Sequence, residues 1–327
     1  MRVLTDPLFT RRLAHLRRRR GALPPPEAAV ADVVLVSHLH ADHLHLPSLG
    51  RLAPGTRLLV PRGARRAVPG LARLAGQRGL AVTETAPGEE SDVGEGVRVR
   101  AVSARHDGRR LPFGPHLAPA LGYVVQGAAR TYFAGDTGLF DTMAEEVGPV
   151  DVALLPVGGW GPYLGPGHLD AGRAAQALAQ LAPAAAVPVH YGTYWPVGMD
   201  AVRPHEFHAP GEEFERLARR LAPKVTVRVP AHGERVPAGG GLPGVVRAGG
   251  AGRAGAGDPH RGAGEFGGGG GLPPPVAVRG VARVRGVGAG GLHRGPGAVL
   301  ARAARGALTR RLAVAGGPAR PGGARAA

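Results

Sequence analysis

Short apolar runs, bounded by Gly, Pro or charged residues, predict the strands of a layered α/β domain over residues 1 to about 237. Four of these runs lead directly into a His or an Asp. They are Val33–Ser37, Val97–Arg105, Thr131–Gly135 and Ala185–Val189. Other strands are predicted at Arg57–Val60, Asp151–Val157 and Val225–Val229, and a hairpin over Gly122–Gln126 and Arg130–Ala134. The length is ample for one domain with a proper core.

Helices are predicted where apolar side chains recur at helical spacing. The predicted helices cover about Ala171–Leu181, with Asp170 as N-cap, and Glu212–Leu221, while Gly63–Gln77 is expected to be partly helical. The basic segment Arg11–Arg20 is predicted to be a solvated, mostly helical surface piece, with a role at a membrane surface as the alternative.

The segment His38-Leu39-His40-Ala41-Asp42-His43 contains four side chains of metal-binding types directly after a buried strand. In an extended segment His38 and His40 point to the same side and can hold one ion together. Asp42 and His43 follow as the chain turns and can face a second ion. These ligands suit zinc, with manganese or iron as alternatives. The competing interpretation is a His-rich surface loop, which the preceding buried strand disfavours.

This hexapeptide resembles the signature of the metallo-β-lactamase superfamily. The resemblance implies an α/β fold in which two sheets lie between helices, an αββα sandwich, with further ligands at the ends of later strands. It assigns His38, His40 and His106 to one ion, Asp42, His43 and His190 to a second, and Asp136 to both. It implies hydrolysis of a phosphodiester, ester, lactone or amide by a hydroxide shared between two divalent ions.

Three features resemble one branch of that superfamily, which contains the N-acylphosphatidylethanolamine-hydrolysing phospholipase D and the L-ascorbate-6-phosphate lactonase. They are Leu4–Pro7, Pro188–Tyr194, and His168 ahead of a helix. This branch implies a small-molecule or lipid-like substrate and places His168 in the active site. There it would protonate the leaving group or hold a developing oxyanion, the alternative being a solvated His at a helix start. The branch also implies strands before Leu4, so we expect that N-terminal strands are truncated.

Residues beside these motifs allow two interpretations each. Trp160 and Tyr163 either form a wall of the pocket or pack structurally. Asp6 is a candidate to brace the His pair, because a metal-bound His usually donates its other N–H to a carboxylate or carbonyl. His45 and His232 are interpreted as loop and structural residues, with orientation of a ligand as the alternative.

The composition changes to Gly, Ala, Arg and Pro over residues 238–327. Only Asp258 and Glu265 oppose the many Arg residues there, and Phe266 is the lone aromatic residue. Such a segment buries too little apolar surface to offset its ordering entropy. We therefore expect a hydrolase domain over 1–237 and a disordered tail over 238–327, in which a short helix near Ala298–Ala313 is an option.

The formal net charge of +17 comes mostly from this tail and raises a second function, the binding or processing of nucleic acid. Against it, no recognisable RNA-binding module is present, and Lys224 is the only Lys. That usage, with Ile and Asn absent, is typical of a GC-rich gene in which Arg is the default cation. A third alternative is an inactive metal-binding scaffold, which the complete ligand set disfavours.

No apolar stretch of about 20 residues and no secretory segment is found, so no membrane span is predicted. Cys is absent, which excludes disulfides and thiolate ligands. The sequence thus predicts a cytoplasmic, metal-dependent hydrolase and gives no indication of its oligomeric state.

Overall fold

Short strands alternate with helices in residues 1–111, 114–159 and 164–236, the part of the chain that the computed structural model describes. The strands are β1 (Val3–Thr5), β2 (Arg12–Leu13), β3 (Leu16–Arg18), β4 (Val33–Leu35), β5 (Arg57–Pro61), β6 (Ala81–Thr85), β7 (Glu90–Gly94), β8 (Val97–Ser103), β9 (Leu121–Gln126), β10 (Arg130–Phe133), β11 (Val152–Pro156), β12 (Ala185–Val189), β13 (Tyr194–Pro196) and β14 (Thr226–Val227). The helices are α1 (Leu46–Leu49), α2 (Ala64–Ala67), α3 (Pro69–Arg78), α4 (Met143–Val147), α5 (Ala171–Leu181), α6 (Met199–Val202), α7 (Pro204–His208) and α8 (Pro210–Leu221), with a 3₁₀ turn over Pro26–Ala29. The predicted tail over 238–327 and the optional helix near Ala298–Ala313 lie outside the described residues.

The four strands that were predicted to lead into a His or an Asp are confirmed as β4, β8, β10 and β12. The predicted helix over Ala171–Leu181 is confirmed as α5, and the Asp170 carboxylate caps it by accepting a hydrogen bond of 2.8 Å from the Arg173 backbone N–H. In α8 the apolar face is narrower than its spacing predicts, because Phe214 is buried but Leu221 is 48% exposed.

The prediction of a helix over Arg11–Arg20 is wrong. The segment forms the antiparallel strands β2 and β3, joined by a turn in which Ala14 has φ 49°, and β3 pairs with β13. Leu16 is buried beneath this small sheet, and the Arg18 guanidinium lies 5.1 Å from the centre of the Tyr194 ring. Because the partner strand lies far along the chain, the strands are held by contacts that local spacing does not encode.

Two larger sheets carry the fold. The first is parallel throughout, in the order β1-β4-β5-β6, and the second is mixed, in the order β14-β12-β11-β10-β9-β8-β7. Since β8 and β10 both run antiparallel to β9, and β11 and β12 run parallel to β10, the carboxyl ends of β8, β10, β11 and β12 meet at one edge.

Alternating side chains in β4 show how the layers stack. Val33 and Leu35 point into a core between the two sheets, together with Tyr123 and Phe133 of the second sheet. Val34 points the other way, into a core with Leu71 of α3. The outer face of the second sheet packs against α4, α5 and α8, through residues such as Met143, Leu178 and Phe214. The order helix, sheet, sheet, helix confirms the predicted αββα sandwich.

Two hydrogen bonds fix the end of β4 against the second sheet. The Tyr123 hydroxyl donates to the carbonyl oxygen of Val36 at 2.9 Å, and the backbone N–H of Leu121 donates to the carbonyl oxygen of Ser37 at 2.8 Å. The chain therefore enters the hexapeptide at His38 from an anchored position. Among the helices in the described ranges, none combines the length and the apolar character that crossing a lipid bilayer requires.

Candidate metal centre

The side chains predicted as ligands converge at the edge where the strand ends meet. Donor atoms of these side chains lie within 4.8 Å of one another in three overlapping groups. The groups are His38, His40 and His106; His38, His43 and Asp136; and Asp42, His43 and His190. The structure thus brings together all seven predicted positions from four separate segments of the chain.

The first group is made of imidazole nitrogens only. His40 Nδ1 lies 2.9 Å from His38 Nε2 and 3.1 Å from His106 Nε2. Two nitrogens bound to one zinc ion at about 2.0–2.1 Å in a tetrahedral site are roughly 3.3 Å apart. The three nitrogens are therefore spaced closely enough to share one ion.

The other two groups lie around the Asp136 carboxylate, whose two oxygens face different imidazoles. Asp136 Oδ2 lies 3.4 Å from His43 Nε2, and Asp136 Oδ1 lies 3.4 Å from His190 Nε2. Asp42 Oδ2 approaches the same two nitrogens, at 3.6 Å and 3.8 Å. Because Asp136 also groups with His38, a member of the first group, it lies between the first group and the third.

Hydrogen bonds on the outer side of the cluster determine which ring nitrogens face inward. His106 Nδ1 lies 2.8 Å from the carbonyl oxygen of Gly167, and His190 Nδ1 lies 3.1 Å from that of Gly158. A carbonyl only accepts, so both Nδ1 atoms carry the proton that they donate. In the neutral imidazoles of His106 and His190, Nε2 then presents a lone pair to the centre.

The donor atoms are arranged better for binding a cation than for hydrogen-bonding to one another. The lone pair of His190 faces carboxylate oxygens, which repel it unless a proton or a metal ion lies between them. Within the described residues, His43 Nε2 and Asp136 Oδ1 are buried without a hydrogen-bond partner. Buried polar atoms without partners are costly, and a shared divalent cation would satisfy both.

Charges within the cluster shift the pKa values in opposite directions. Burial lowers the pKa of His190, but Asp136 and Asp42 outweigh it and raise that pKa to about 9. Burial alone would likewise lower the pKa of His43, but Asp136, Asp42 and Asp6 raise it well above its ordinary value. Burial alone would raise the pKa of Asp136, yet His190 and His43 hold it well below the usual range. The carboxylates thus attract positive charge to this side of the cluster.

The imidazoles of the first group behave differently, because positive charge is disfavoured there. Burial lowers the pKa of His38 well below its ordinary value, and the neighbouring His43 lowers it further. Burial and His106 also lower the pKa of His40. Neutral imidazoles are the form that binds metal ions, so His38 and His40 are ready to bind without releasing protons.

Asp6 supports the cluster from behind. Its carboxylate accepts hydrogen bonds from the Ser37 backbone N–H at 2.8 Å and from the Ser37 hydroxyl at 2.6 Å, and it lies 2.6 Å from His43 Nδ1. The sequence predicted that Asp6 braces the His pair. Asp6 contacts His43 instead and reaches His38 only through Ser37 Oγ, which is 3.0 Å from His38 Nδ1.

We expect Asp6→Asn to weaken divalent-metal affinity by about 10–100-fold, the usual effect of losing a hydrogen-bond partner of a metal-bound His. An amide NH₂ group in place of the oxygen that faces the Ser37 hydroxyl and His43 Nδ1 accepts no hydrogen bond from either, so the His43 ring loses its orientation. A competition titration with a chromophoric chelator measures the affinity. Asp92→Asn, an exposed carboxylate in β7, is the control, and an Asp6→Asn protein with wild-type affinity would refute the role.

Left-handed backbone, which is strained at residues other than Gly, occurs at the same place. Asp6 has φ 40°, His190 has φ 61° and Gly135 has φ 60°. A Cβ atom at Gly135 would lie 2.5 Å from Ser37 Cβ, so only Gly fits between β10 and the end of β4. Unfavourable backbone conformations persist where surrounding structure holds them, often at functional sites. Sequence reasoning missed Ser37 and Gly135, and the Gly-Asp pair at 135–136 was the signal for the second.

His168 lies at the rim of the cluster. Its Nε2 is 3.7 Å from Asp136 Oδ2, and its ring centre is 4.6 Å from that of His106. Burial lowers its pKa to about 4, against the attraction of Asp136. Its donor atom also groups with those of His106 and Asp136, so its position suits either a metal contact or a substrate contact. Its role stays a prediction.

Within the part of the chain that the structure describes, two other His residues form no hydrogen bond with a member of the cluster. His45 Nδ1 bonds the Ser48 hydroxyl at 2.7 Å in α1, and His232 Nε2 bonds the Thr193 hydroxyl at 2.7 Å. The predicted wall residues Trp160 and Tyr163 lie outside the described residues.

A cavity of about 310 Å³ opens beside Asp136 and the third group. Asp42, His43, Asp136 and His190 line one side of it. Its other walls are largely apolar and include Leu8, Leu13, Leu16, Phe133 and Leu154. A small molecule that enters this cavity therefore meets polar donor atoms on one side and hydrocarbon on the others.

Residues 1–191 match the sequence model of the Beta-lactamase superfamily domain. The chain is 30% identical over 228 residues to the UPF0173 metal-dependent hydrolase of Thermoplasma acidophilum, an alignment that covers 69% of this chain and 87% of that protein. It is 32% identical over 251 residues to a Mycobacterium tuberculosis protein named as uncharacterized, covering 72% of this chain and 63% of that protein. The chain thus spans less than two thirds of the mycobacterial relative.

Solved structures share the fold. The isothiocyanate hydrolase from Delia radicum gut bacteria superposes with a TM-score of 0.52 at 18% identity, covering 71% of this chain and 90% of that chain. A chain from Veillonella parvula, described as a possible metal-dependent hydrolase, gives a TM-score of 0.52 at 15% identity over 71% of this chain and 90% of its own. At these identities the likeness concerns the architecture of two sheets between helices.

Proposed function

This chain belongs to the metallo-β-lactamase superfamily of metal-dependent hydrolases, and we propose that it uses two divalent ions to hydrolyse a phosphodiester, ester or lactone. The observation that carries the proposal is the inward-facing donor set, in which imidazole nitrogens of His43 and His190 face the buried carboxylate oxygens of Asp136 at 3.4 Å. Protons or metal ions relieve that arrangement while the outer hydrogen bonds stay intact, and the convergence of seven donor side chains favours metal ions.

The residues divide between two ions in this proposal. His38, His40 and His106 hold the first, Asp42, His43 and His190 hold the second, and Asp136 is shared. When bound, such ions supply a water nucleophile active near neutral pH and polarise the oxygen under attack. Zinc suits the mixture of imidazole and carboxylate ligands, with manganese or iron as alternatives.

The side chains around the ligands have separate tasks. Gly158 and Gly167 fix the rings of His190 and His106 through their carbonyl oxygens, so the inward nitrogens keep their direction. Asp136 offsets positive charge at the buried centre. In this proposal His168, at the rim, protonates the leaving group or holds a developing oxyanion.

The cavity supports a small-molecule substrate with an apolar portion, because its walls away from the ligands are largely hydrocarbon. This agrees with the resemblance to the phospholipase D and lactonase branch. The alternative of nucleic-acid binding depends on the tail, which lies outside the described residues.

We expect metal-loaded protein to hydrolyse bis-p-nitrophenyl phosphate or a member of a lactone panel. A chelator should abolish turnover, and added Zn²⁺, Mn²⁺ or Fe²⁺ should restore it. Release of p-nitrophenol and a pH-stat follow the two reactions. Protein that binds metal but turns over neither class would contradict the proposal and favour an inactive scaffold.

A further inference from the structure

Arg110 links two segments that carry candidate ligands. It follows His106 by four positions and reaches back to the hexapeptide. Its Nη1 donates to the carbonyl oxygen of Leu39 at 2.8 Å and to that of Leu44 at 2.7 Å. These two carbonyls flank the turn that contains His40, Asp42 and His43.

The turn has few other hydrogen bonds within itself. The backbone N–H groups of His43 and Leu44 both donate to the carbonyl oxygen of His40, at 3.1 Å and 2.9 Å. The side chains of Leu39 and Leu44 are fully buried on either side. Carbonyls next to buried side chains need a partner, and a guanidinium N–H is a strong one because the bond is charge-assisted.

Charge favours the same arrangement. Arg110 is half-buried, and the Asp42 carboxylate within the turn attracts its positive charge. A half-buried guanidinium is stable where its hydrogen bonds are satisfied and an opposite charge is near. Arg110 therefore joins the turn through two carbonyls, and the charge of Asp42 adds an attraction at longer range.

We propose that Arg110 is a positioning residue, which holds the His40–His43 turn in the conformation that binds metal and ties it to the segment of His106. This inference rests on the proposed function, because it concerns the affinity of the proposed metal centre. Arg110 contacts no candidate ligand nitrogen by hydrogen bond in the described residues, so it acts through the backbone of the turn.

Arg109 provides a matched control. It is the neighbouring residue with the same side chain, and its side-chain hydrogen bonds in the described residues go to Asp107, at 3.2 Å and 3.4 Å. Replacing it removes the same charge from the same loop without touching the turn.

The test compares Arg110→Met, Arg110→Lys and Arg109→Met in the full chain. For each we measure Co²⁺ and Zn²⁺ affinity by competition with a chromophoric chelator, and the Tm in excess chelator. We expect Arg110→Met to weaken metal binding by about 10–100-fold, as for other residues that orient ligands. Arg110→Lys should recover part of the loss, since an ammonium can donate to both carbonyls. Arg109→Met should change affinity by no more than about twofold.

The two readouts separate positioning from general stability. A positioning role predicts lost metal affinity with a Tm in chelator close to that of Arg109→Met. If Arg110→Met binds as tightly as Arg109→Met, or loses affinity only with a matching loss of Tm, the inference is overturned. Should Arg110→Met fail to fold, Arg110→Gln replaces it with the same expectations. If wild-type protein itself binds neither ion, the proposed function fails first.

Discussion

Asp136→Asn is expected to lower both metal affinity and the rate of hydrolysis by more than about 100-fold, beyond the range for residues that only orient ligands. Asp136 is buried, and its two oxygens face His43 and His190 at 3.4 Å each. An amide keeps the shape but removes the negative charge and turns an NH₂ group toward one imidazole. Metal ions bound beside this side chain then lose the negative charge that offsets their positive charge.

The measurement for Asp136 is metal content after dialysis, together with initial rates on the best substrate of the panel. Asp141→Asn is the matched control, because Asp141 is an exposed carboxylate in the same loop. It should leave both readouts unchanged. Asp136→Asn protein that keeps two metal ions and at least half of the wild-type rate would contradict the shared-ligand assignment.

Metal binding is expected to raise the Tm strongly. A ligand at about 1,000 times its Kd adds about 4.1 kcal/mol to the free energy of unfolding when it binds only the folded state. For a domain of this size each kcal/mol shifts the Tm by about 2–4 °C, so zinc should raise it by roughly 8–16 °C over the value in chelator. Calorimetry with and without chelator measures this difference.

The size of that shift should depend on pH through His190. In the metal-free protein the pKa of His190 is raised to about 9, so a proton bound to His190 stabilises the fold. This contribution is fully present below the unfolded pKa of about 6.5 and is lost as the pH rises through about 9. Metal must displace the same proton. At fixed free Zn²⁺, the gain in Tm should therefore be larger at pH 8 than at pH 6. Equal gains at the two pH values would show that no such proton is displaced.

The strand ends explain why so much of the centre could be predicted. His106, Asp136 and His190 each follow an apolar run, and the carboxyl ends of β8, β10 and β12 share one edge of a sheet. The apolar runs predicted the strands, and the resemblance of the hexapeptide to the superfamily signature implied the fold and assigned these residues to the cluster. The cap of α5 by Asp170 is local, so the sequence predicted it too.

Other features of the centre could not be predicted, because they depend on backbone contacts that leave no pattern of side chains in the sequence. The rings of His106 and His190 are oriented by backbone carbonyls of Gly167 and Gly158, which any residue type possesses. Strand β3 pairs with the distant β13, and β2 pairs with β3. This pairing leaves no local pattern, so the segment was predicted to be helical. Arg110 likewise binds carbonyls, and its role is visible only in the folded chain.

The number of metal ions per chain tests the central claim most directly. Purified full-length protein, loaded with zinc and dialysed, is analysed for metal by mass spectrometry beside His106→Ala and His190→Ala. We predict two ions in the wild type and about one in each variant, because His106 is a proposed ligand of the first ion only and His190 of the second only. Wild-type protein that retains no ion, or variants that retain as much as wild type, would contradict a centre built from these residues.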